Sequence, residues 1–110
     1  LLKGMSHITG GGFIENIPRV LPKGLGCYID AATWSLPPVF RFLLKHGRIE
    51  PLEMARTFNN GIGLVLIVAA DIVDEVISRL QGGDSSVYRI GEVTSTPGVE
   101  MRNLSEWRPE

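Results

Sequence analysis

The chain has 110 residues, 44% hydrophobic and 21% charged, a composition typical of one folded domain rather than of a disordered segment. Its formal net charge of −1 gives no electrostatic attraction to nucleic acid or to an anionic membrane surface. One cysteine and two histidines exclude a disulfide framework and leave too few ligands for a Cys/His zinc site. The longest apolar run, residues 64–70, is far shorter than the roughly 20 residues of a membrane-spanning helix.

The first thirty residues predict two strands with a helix between them. Residues 5–8 predict the end of a strand that runs into three glycines, and residues 25–30 predict the second strand. Between them apolar residues recur with helical spacing, but Pro18 removes one backbone hydrogen bond, so the pattern predicts a short or kinked helix. The apolar residues of that helix are Phe13, Ile14, Ile17, Val20 and Leu21.

Two more helices are predicted after the second strand. Ser35 predicts the N-cap of a helix that ends at Gly47. The residues of this helix that we expect to face the core are Leu36, Val39, Phe40, Leu43 and Leu44. A short helix is predicted to begin near Pro51, and the sequence Asn59-Asn60-Gly61 predicts a turn, since asparagine and glycine tolerate left-handed backbone angles.

The rest of the chain predicts a strand, a helix and a second strand. Residues 62–69 are almost continuously apolar, which predicts a strand covered on both faces. Asp71 predicts the cap of an amphipathic helix, and residues 87–94 predict the next strand. This order is typical of a βαβ-like unit, so we expect an α+β fold, a mixed β-sheet with helices packed on it. Residues 97–110 predict a polar tail, the least ordered part, with a candidate last strand at 99–103.

The strongest local signal is the sequence His7-Ile8-Thr9-Gly10-Gly11-Gly12 between a strand and a helix. Glycine costs about 0.5–1 kcal/mol relative to alanine in regular structure, and a close approach of the backbone to a ligand would justify that cost. Free amides and the positive dipole end at the start of a helix bind phosphate or carboxylate. The sequence fits neither a P-loop nor a dinucleotide fingerprint. An anion site and a flexible surface turn both remain open.

Other polar residues are candidates for the same cleft. Asn16 and Arg19 lie on the solvent-facing side of the predicted helix and would reach a cleft beside the glycines. Residues 56–63 place a guanidinium, two amides and two glycines at the entrance of a buried strand, where they could bind a polar ligand. An ordinary helix-to-strand connection is the simpler interpretation of this segment. Cys27 is predicted to be a core residue, and Asp30 either a cap or a ligand.

Residues 7–22, with the sequence HITGGGFIENIPRVLP, resemble the C-terminal domain of phosphoribosylformylglycinamidine cyclo-ligases, also called aminoimidazole ribonucleotide (AIR) synthases. The resemblance continues through EMARTFNNGIG at residues 53–63 and covers roughly residues 4–95. It implies an AIR synthase-like domain over residues 1–96, the N-terminal ATP-binding domain being absent from this chain. Many members carry cysteine where this chain has Asn60, so a mechanism that needs a thiol there is excluded.

The resemblance implies an ATP-dependent ligase of purine biosynthesis. In the family's reaction ATP phosphorylates the amide oxygen of formylglycinamidine ribonucleotide, and a neighbouring nitrogen attacks the activated carbon as phosphate leaves. Magnesium screens the nucleotide charge, and the N-terminal domain supplies most nucleotide and metal ligands and forms a homodimer. We further expect a cytoplasmic location, no nucleic-acid or membrane partner, in eukaryotes a place in a longer multifunctional chain, and no activity of this fragment alone.

Under this resemblance His7 is the candidate catalytic residue, which would polarise the substrate amide or stabilise its developing charge. The candidate substrate- and phosphate-binding residues are Thr9, Gly10, Gly11, Gly12, Asn16, Arg19, Arg56, Asn59 and Gly61. No residue is expected to bind a metal. Two alternatives remain: a related ATP-dependent enzyme, of the selenophosphate synthetase or thiamine-monophosphate kinase type, and a non-catalytic assembly module with the same fold.

Overall fold

The computed structural model describes residues 2–83 and 86–108. Within these residues the chain forms five strands and four α-helices, joined by short 3₁₀ turns. The strands are β1 Leu2–His7, β2 Gly26–Asp30, β3 Leu64–Val68, β4 Gly91–Thr94 and β5 Gly98–Arg102. The α-helices are α1 Gly12–Asn16, α2 Pro38–His46, α3 Pro51–Thr57 and α4 Val73–Leu80. No helix in the described ranges has the length and apolar character needed to cross a bilayer.

The strands form two sheets. β1 and β3 pair antiparallel, with His7 opposite Leu64. The other sheet has the order β4-β2-β5 and is mixed, because β2 runs antiparallel to β4 and parallel to β5. This mixed sheet, with helices packed around it, confirms the predicted α+β class. The predicted βαβ-like unit is wrong, because β3 and β4 lie in different sheets and each pairs antiparallel with an earlier strand.

One apolar core joins the sheets and helices, and Trp34 lies within it. The ring of Trp34 packs edge to face against Phe13, at 5.9 Å between centroids, and against Trp107, at 6.0 Å. Trp107 is only 2% exposed, and β5 occupies the position of the candidate last strand. Residues 98–108 of the predicted polar tail are thus part of the packed domain, whereas residues 109–110 lie outside the described residues.

Two predicted helix caps are wrong. The helix assigned to Ser35 begins at Pro38, with Pro37 at the N-cap and no side-chain cap among the described residues. Pro37 is held extended because it precedes another proline, and the fixed φ of Pro38 suits the first helical position, so the helix starts there rather than after Ser35. Asp71 lies inside the 3₁₀ turn Ala70–Ile72, which places Ile72 at the N-cap of α4. The helix break at Pro18 is confirmed, because α1 gives way to a 3₁₀ segment at Ile17–Val20.

Two expected core positions face outward instead. Leu64 in β3 is 54% exposed, so the strand is not covered on both faces as predicted. Within its sheet β3 has β1 as its described neighbour, and alternate side chains of such a two-stranded pair face away from the core. Val39 is 58% exposed on the outer side of the first turn of α2. The inward face of that helix runs through Phe40, Leu43 and Leu44.

Cys27 and Asp30, both in β2, have structural roles. Burial raises the pKa of the Cys27 thiol to about 11, so the thiol is neutral near pH 7 and the predicted core assignment is confirmed. One carboxylate oxygen of Asp30 accepts hydrogen bonds from the Asn103 side chain at 2.8 Å and the Ala32 amide at 2.9 Å. Led by the Asn103 bond, these contacts hold the pKa of Asp30 below its ordinary value. Asp30 is therefore a cap.

Candidate functional site

Residues 8–12, named here the glycine loop, join β1 to α1. The Ile8 amide donates to the Gly63 carbonyl at 2.9 Å, which fixes the start of the loop beside β3. The Gly12 amide donates to the Thr9 carbonyl at 3.0 Å and closes a turn. Gly11 and Gly12 have φ angles of +98° and +58°, which residues with a side chain rarely adopt. The loop is therefore an ordered turn that needs glycine at two positions.

Gly12 serves packing rather than ligand binding. It is buried, and a β-carbon at this position would collide with the Ala55 carbonyl oxygen of α3. The absence of a side chain lets α1 lie directly on α3. Since the Gly12 amide is also used within the turn, the expectation that all three glycines offer free amides is wrong for Gly12.

Gly10 and Gly11 differ from Gly12 in this respect. Across the described parts of the chain, no backbone or side-chain oxygen accepts a hydrogen bond from either amide. Gly10 is exposed, with open space where a β-carbon would sit. Helix α1 has only five residues, so its dipole contributes little. The two N–H groups themselves are what the loop offers to a ligand oxygen.

Asn16 fixes the shape of the glycine loop from beneath. Its side-chain nitrogen lies 3.2 Å from the Thr9 carbonyl oxygen, 3.2 Å from that of Gly10 and 2.8 Å from that of Gly12. Because a carboxamide has two N–H donors, these three acceptors share them. Asn16 is only 4% exposed, so its predicted place on the solvent-facing side was wrong. The residue holds the loop and is itself covered.

Charged side chains surround the loop unevenly. The Arg19 guanidinium donates to the Asn16 side-chain oxygen at 3.1 Å, which brings an exposed cation next to the glycine loop. A Glu15 carboxylate oxygen lies only 2.6 Å from where a β-carbon of Gly11 would sit, so an anion there also meets a negative charge. His7 and Thr9 are exposed at the end of β1 and in the loop. A ligand at the glycine loop would therefore meet the side chains of Arg19, Glu15, His7 and Thr9.

Residues 58–62, named here the amide turn, follow α3. The Asn59 side-chain oxygen accepts from the Gly61 amide at 2.9 Å, and its carbonyl accepts from the Ile62 amide at 2.9 Å. These amides are thus used inside the turn. Upstream, Arg56 forms an exposed ion pair with Glu53 at 2.6 Å, a contact worth little in water. The end of α3 does adjoin the glycine loop, since Gly12 packs against it.

Asn60 lies inside the protein and is fully buried. Its side-chain nitrogen donates to the Met54 carbonyl at 2.9 Å and the Phe58 carbonyl at 3.0 Å. Its φ of +54° is left-handed, which confirms the predicted turn. The Trp34 indole N–H donates to the Asn60 carbonyl at 3.0 Å. Sequence patterns did not reveal this role of Trp34, because a tryptophan that is expected in the core gives no indication of which group its N–H will bond.

The comparison with known families agrees with this architecture. The family described as AIR synthase related protein, C-terminal domain, matches residues 1–102. The chain belongs to this family. This confirms the resemblance seen at residues 7–22 and 53–63. This AIR synthase related C-terminal domain continues past the matched residues. Trp107 lies in that continuation and packs into the core.

Relatives of this AIR synthase related domain are longer proteins. The chain is 54% identical over 99 residues to a phosphoribosylformylglycinamidine cyclo-ligase of Neisseria gonorrhoeae, covering 90% of the chain and 29% of the relative. It is 49% identical over 101 residues to the chloroplastic phosphoribosylformylglycinamidine cyclo-ligase of Arabidopsis thaliana, covering 92% and 26%. A bifunctional purine biosynthetic protein of Schizosaccharomyces pombe is 43% identical over 111 residues, covering 97% and 14%. The chain thus spans less than a third of each.

Proposed function

We propose that this domain is the substrate-side part of a phosphoribosylformylglycinamidine cyclo-ligase, which converts formylglycinamidine ribonucleotide to aminoimidazole ribonucleotide at the expense of ATP. The identity of 49–54% to two cyclo-ligases over nine-tenths of the chain supports the assignment. In this proposal the remainder of the protein supplies most contacts to ATP and magnesium and forms a homodimer in the cytoplasm. Within the described ranges, no cluster of three His, Cys, Asp or Glu side chains could hold a metal.

In this proposal the glycine loop binds phosphate oxygen of the substrate or nucleotide. The observation that carries it is the pair of amides at Gly10 and Gly11, which have no described acceptor in a loop held rigid by Asn16. Hydrogen bonds to a charged oxygen are worth about 1.5–3 kcal/mol each, and a fixed loop loses little entropy on binding. Arg19 adds a cation to the same edge, whereas Glu15 opposes the anion and limits the affinity.

In this proposal His7 acts on the reacting amide. It is exposed at the end of β1, one residue before the glycine loop. A phosphate held by the loop would bring the substrate close to the imidazole, which can donate a hydrogen bond to the amide oxygen as charge develops there. The chemistry of phosphoryl transfer rests mainly on such positioning and charge stabilisation.

The test uses the full-length protein with formylglycinamidine ribonucleotide and ATP. We expect Arg19→Ala to raise the KM for the ribonucleotide about tenfold and His7→Ala to lower kcat, both with little change in Tm. Lys23→Ala is the matched control, because Lys23 is an exposed cation four positions after Arg19 in the sequence, and its loss should leave both constants unchanged. Absence of turnover in the unsubstituted protein would contradict the proposed activity, and a large loss of Tm in His7→Ala would make His7 structural.

A further inference from the structure

Trp34 lies behind both loops of the candidate site. It is 7% exposed, and its indole N–H donates to the Asn60 carbonyl of the amide turn at 3.0 Å. The ring of the same residue packs edge to face on Phe13, which directly follows the glycine loop. One side chain therefore touches the elements that carry the glycine loop and the amide turn, although these are far apart in sequence.

The indole N–H of Trp34 is bonded to the amide turn, and this turn contains a donor that can bind a ligand, the side-chain nitrogen of Asn59. The Asn59 side-chain oxygen is held by the Gly61 amide, which fixes the plane of the carboxamide. Its side-chain nitrogen donates to no acceptor within the described residues, and the side chain is half-buried rather than covered. A turn held in this way presents one oriented N–H₂ group.

We propose that Trp34 is a positioning residue, which holds the amide turn at a fixed place relative to the glycine loop so that Asn59 meets the substrate bound there. The inference rests on the proposed function of the glycine loop. Loss of the indole N–H would leave the buried Asn60 carbonyl without its described side-chain donor. The turn, still bonded to the end of α3 through the Asn60 side chain, would then be held less firmly relative to the glycine loop, and Asn59 would contact the substrate less often.

Trp107 provides a matched control within the same core. It is 2% exposed and packs against Trp34 with centroids 6.0 Å apart. Its indole N–H is buried, but no described residue accepts from it. Trp107→Phe therefore removes about the same volume as Trp34→Phe without removing a hydrogen bond to the amide turn.

The experiment compares Trp34→Phe with Trp107→Phe in the full-length protein, well below both Tm values. We expect Trp34→Phe to lower kcat/KM for the ribonucleotide about tenfold more than Trp107→Phe, which corresponds to about 1.4 kcal/mol. The change should lie mainly in KM. Hydrogen exchange at the Gly61 and Ile62 amides should be faster in Trp34→Phe alone, because both are bonded within the amide turn.

A sharper variant keeps the ring shape. Incorporation of 3-benzothienylalanine at position 34 replaces the indole N–H by sulfur with nearly the same volume, so it serves if Trp34→Phe does not fold. The same substitution at position 107 is its control. Faster exchange in the amide turn and a raised KM with the position-34 analogue alone would support the proposal.

The results of these experiments distinguish the positioning role of Trp34 from the proposed function of the domain. Equal kinetics and equal exchange for the changes at positions 34 and 107 would overturn the role of Trp34 and leave the function of the glycine loop intact. No turnover in the unsubstituted protein would instead overturn the proposed activity. In that case the exchange comparison still decides whether Trp34 holds the amide turn.

Discussion

The glycine loop and the amide turn are organised by the same device. In each, a buried asparagine donates its side-chain N–H₂ group to backbone carbonyls. Asn16 contacts three carbonyls of the glycine loop and α1, and Asn60 contacts two carbonyls in and before the amide turn. Both side chains are almost completely covered, at 4% and 0% exposure.

The two regions differ in what remains for a ligand. In the amide turn, the Gly61 and Ile62 amides are bonded to Asn59. In the glycine loop, the Gly10 and Gly11 amides have no acceptor in the part of the chain that the structure describes. The lesson is that a run of asparagine and glycine can build either a closed turn or a display of donors, and the pattern of internal hydrogen bonds decides which.

The largest expected effect comes from breaking the packing under the glycine loop. Gly12→Ala forces a β-carbon onto the Ala55 carbonyl at a positive φ, so we expect a loss of roughly 2–4 kcal/mol in the free energy of unfolding. Gly10→Ala has open space at the same loop and should change stability by less than about 1 kcal/mol. Urea denaturation measures both. Equal effects would show that Gly12 is not the close contact.

The second-largest expected effect distinguishes the role of Asn16 from that of Asn60. Asn16→Asp and Asn60→Asp each replace buried donors by a carboxylate that faces carbonyl oxygens, so each should lose about 2–3 kcal/mol of stability at pH 8. Both deficits should shrink towards pH 4, where a protonated carboxyl can donate one hydrogen bond. Among variants that remain folded, Asn16→Asp should weaken phosphate binding far more than Asn60→Asp. Equal weakening, measured by phosphate titration of the Gly10 and Gly11 amide signals, would contradict the distinction.

The smallest effect concerns the charge beside the loop. Glu15→Gln removes a carboxylate adjacent to Gly11 and should tighten phosphate binding about two- to fivefold at low salt. Glu75→Gln is the control, because that carboxylate pairs with Arg79 on α4. An unchanged affinity in Glu15→Gln would indicate that the anion does not bind at the glycine loop.

The sequence predicted the features that depend on neighbouring residues. The break at Pro18, the left-handed Asn60 and the end of α2 at Gly47 follow from backbone preferences. The cap at Ser35 failed because two prolines downstream delay the helix start. The resemblance at residues 7–22 identified the family, which no local rule could have done.

The features that the sequence did not predict depend on distant contacts. Asn16 is buried because the glycine loop folds back over it, and Gly12 is required because α3 approaches from more than forty residues downstream. Similarly, strands β3 and β4 look like a βαβ unit until their actual partners, β1 and β2, are known. Periodicity reports which face of an element is apolar, but it carries no information on which element covers that face.

The placement of β2 has a consequence for biosynthesis. Its two neighbours in the mixed sheet, β4 and β5, lie near the other end of the chain, and the Asp30–Asn103 bond spans 73 positions. A polypeptide emerging from the ribosome therefore carries β2 with both edges unpaired until almost the whole domain has been synthesised. Such long-range pairing slows folding, and open strand edges invite aggregation. We expect that newly made chains benefit from chaperones that shield β2 during this interval.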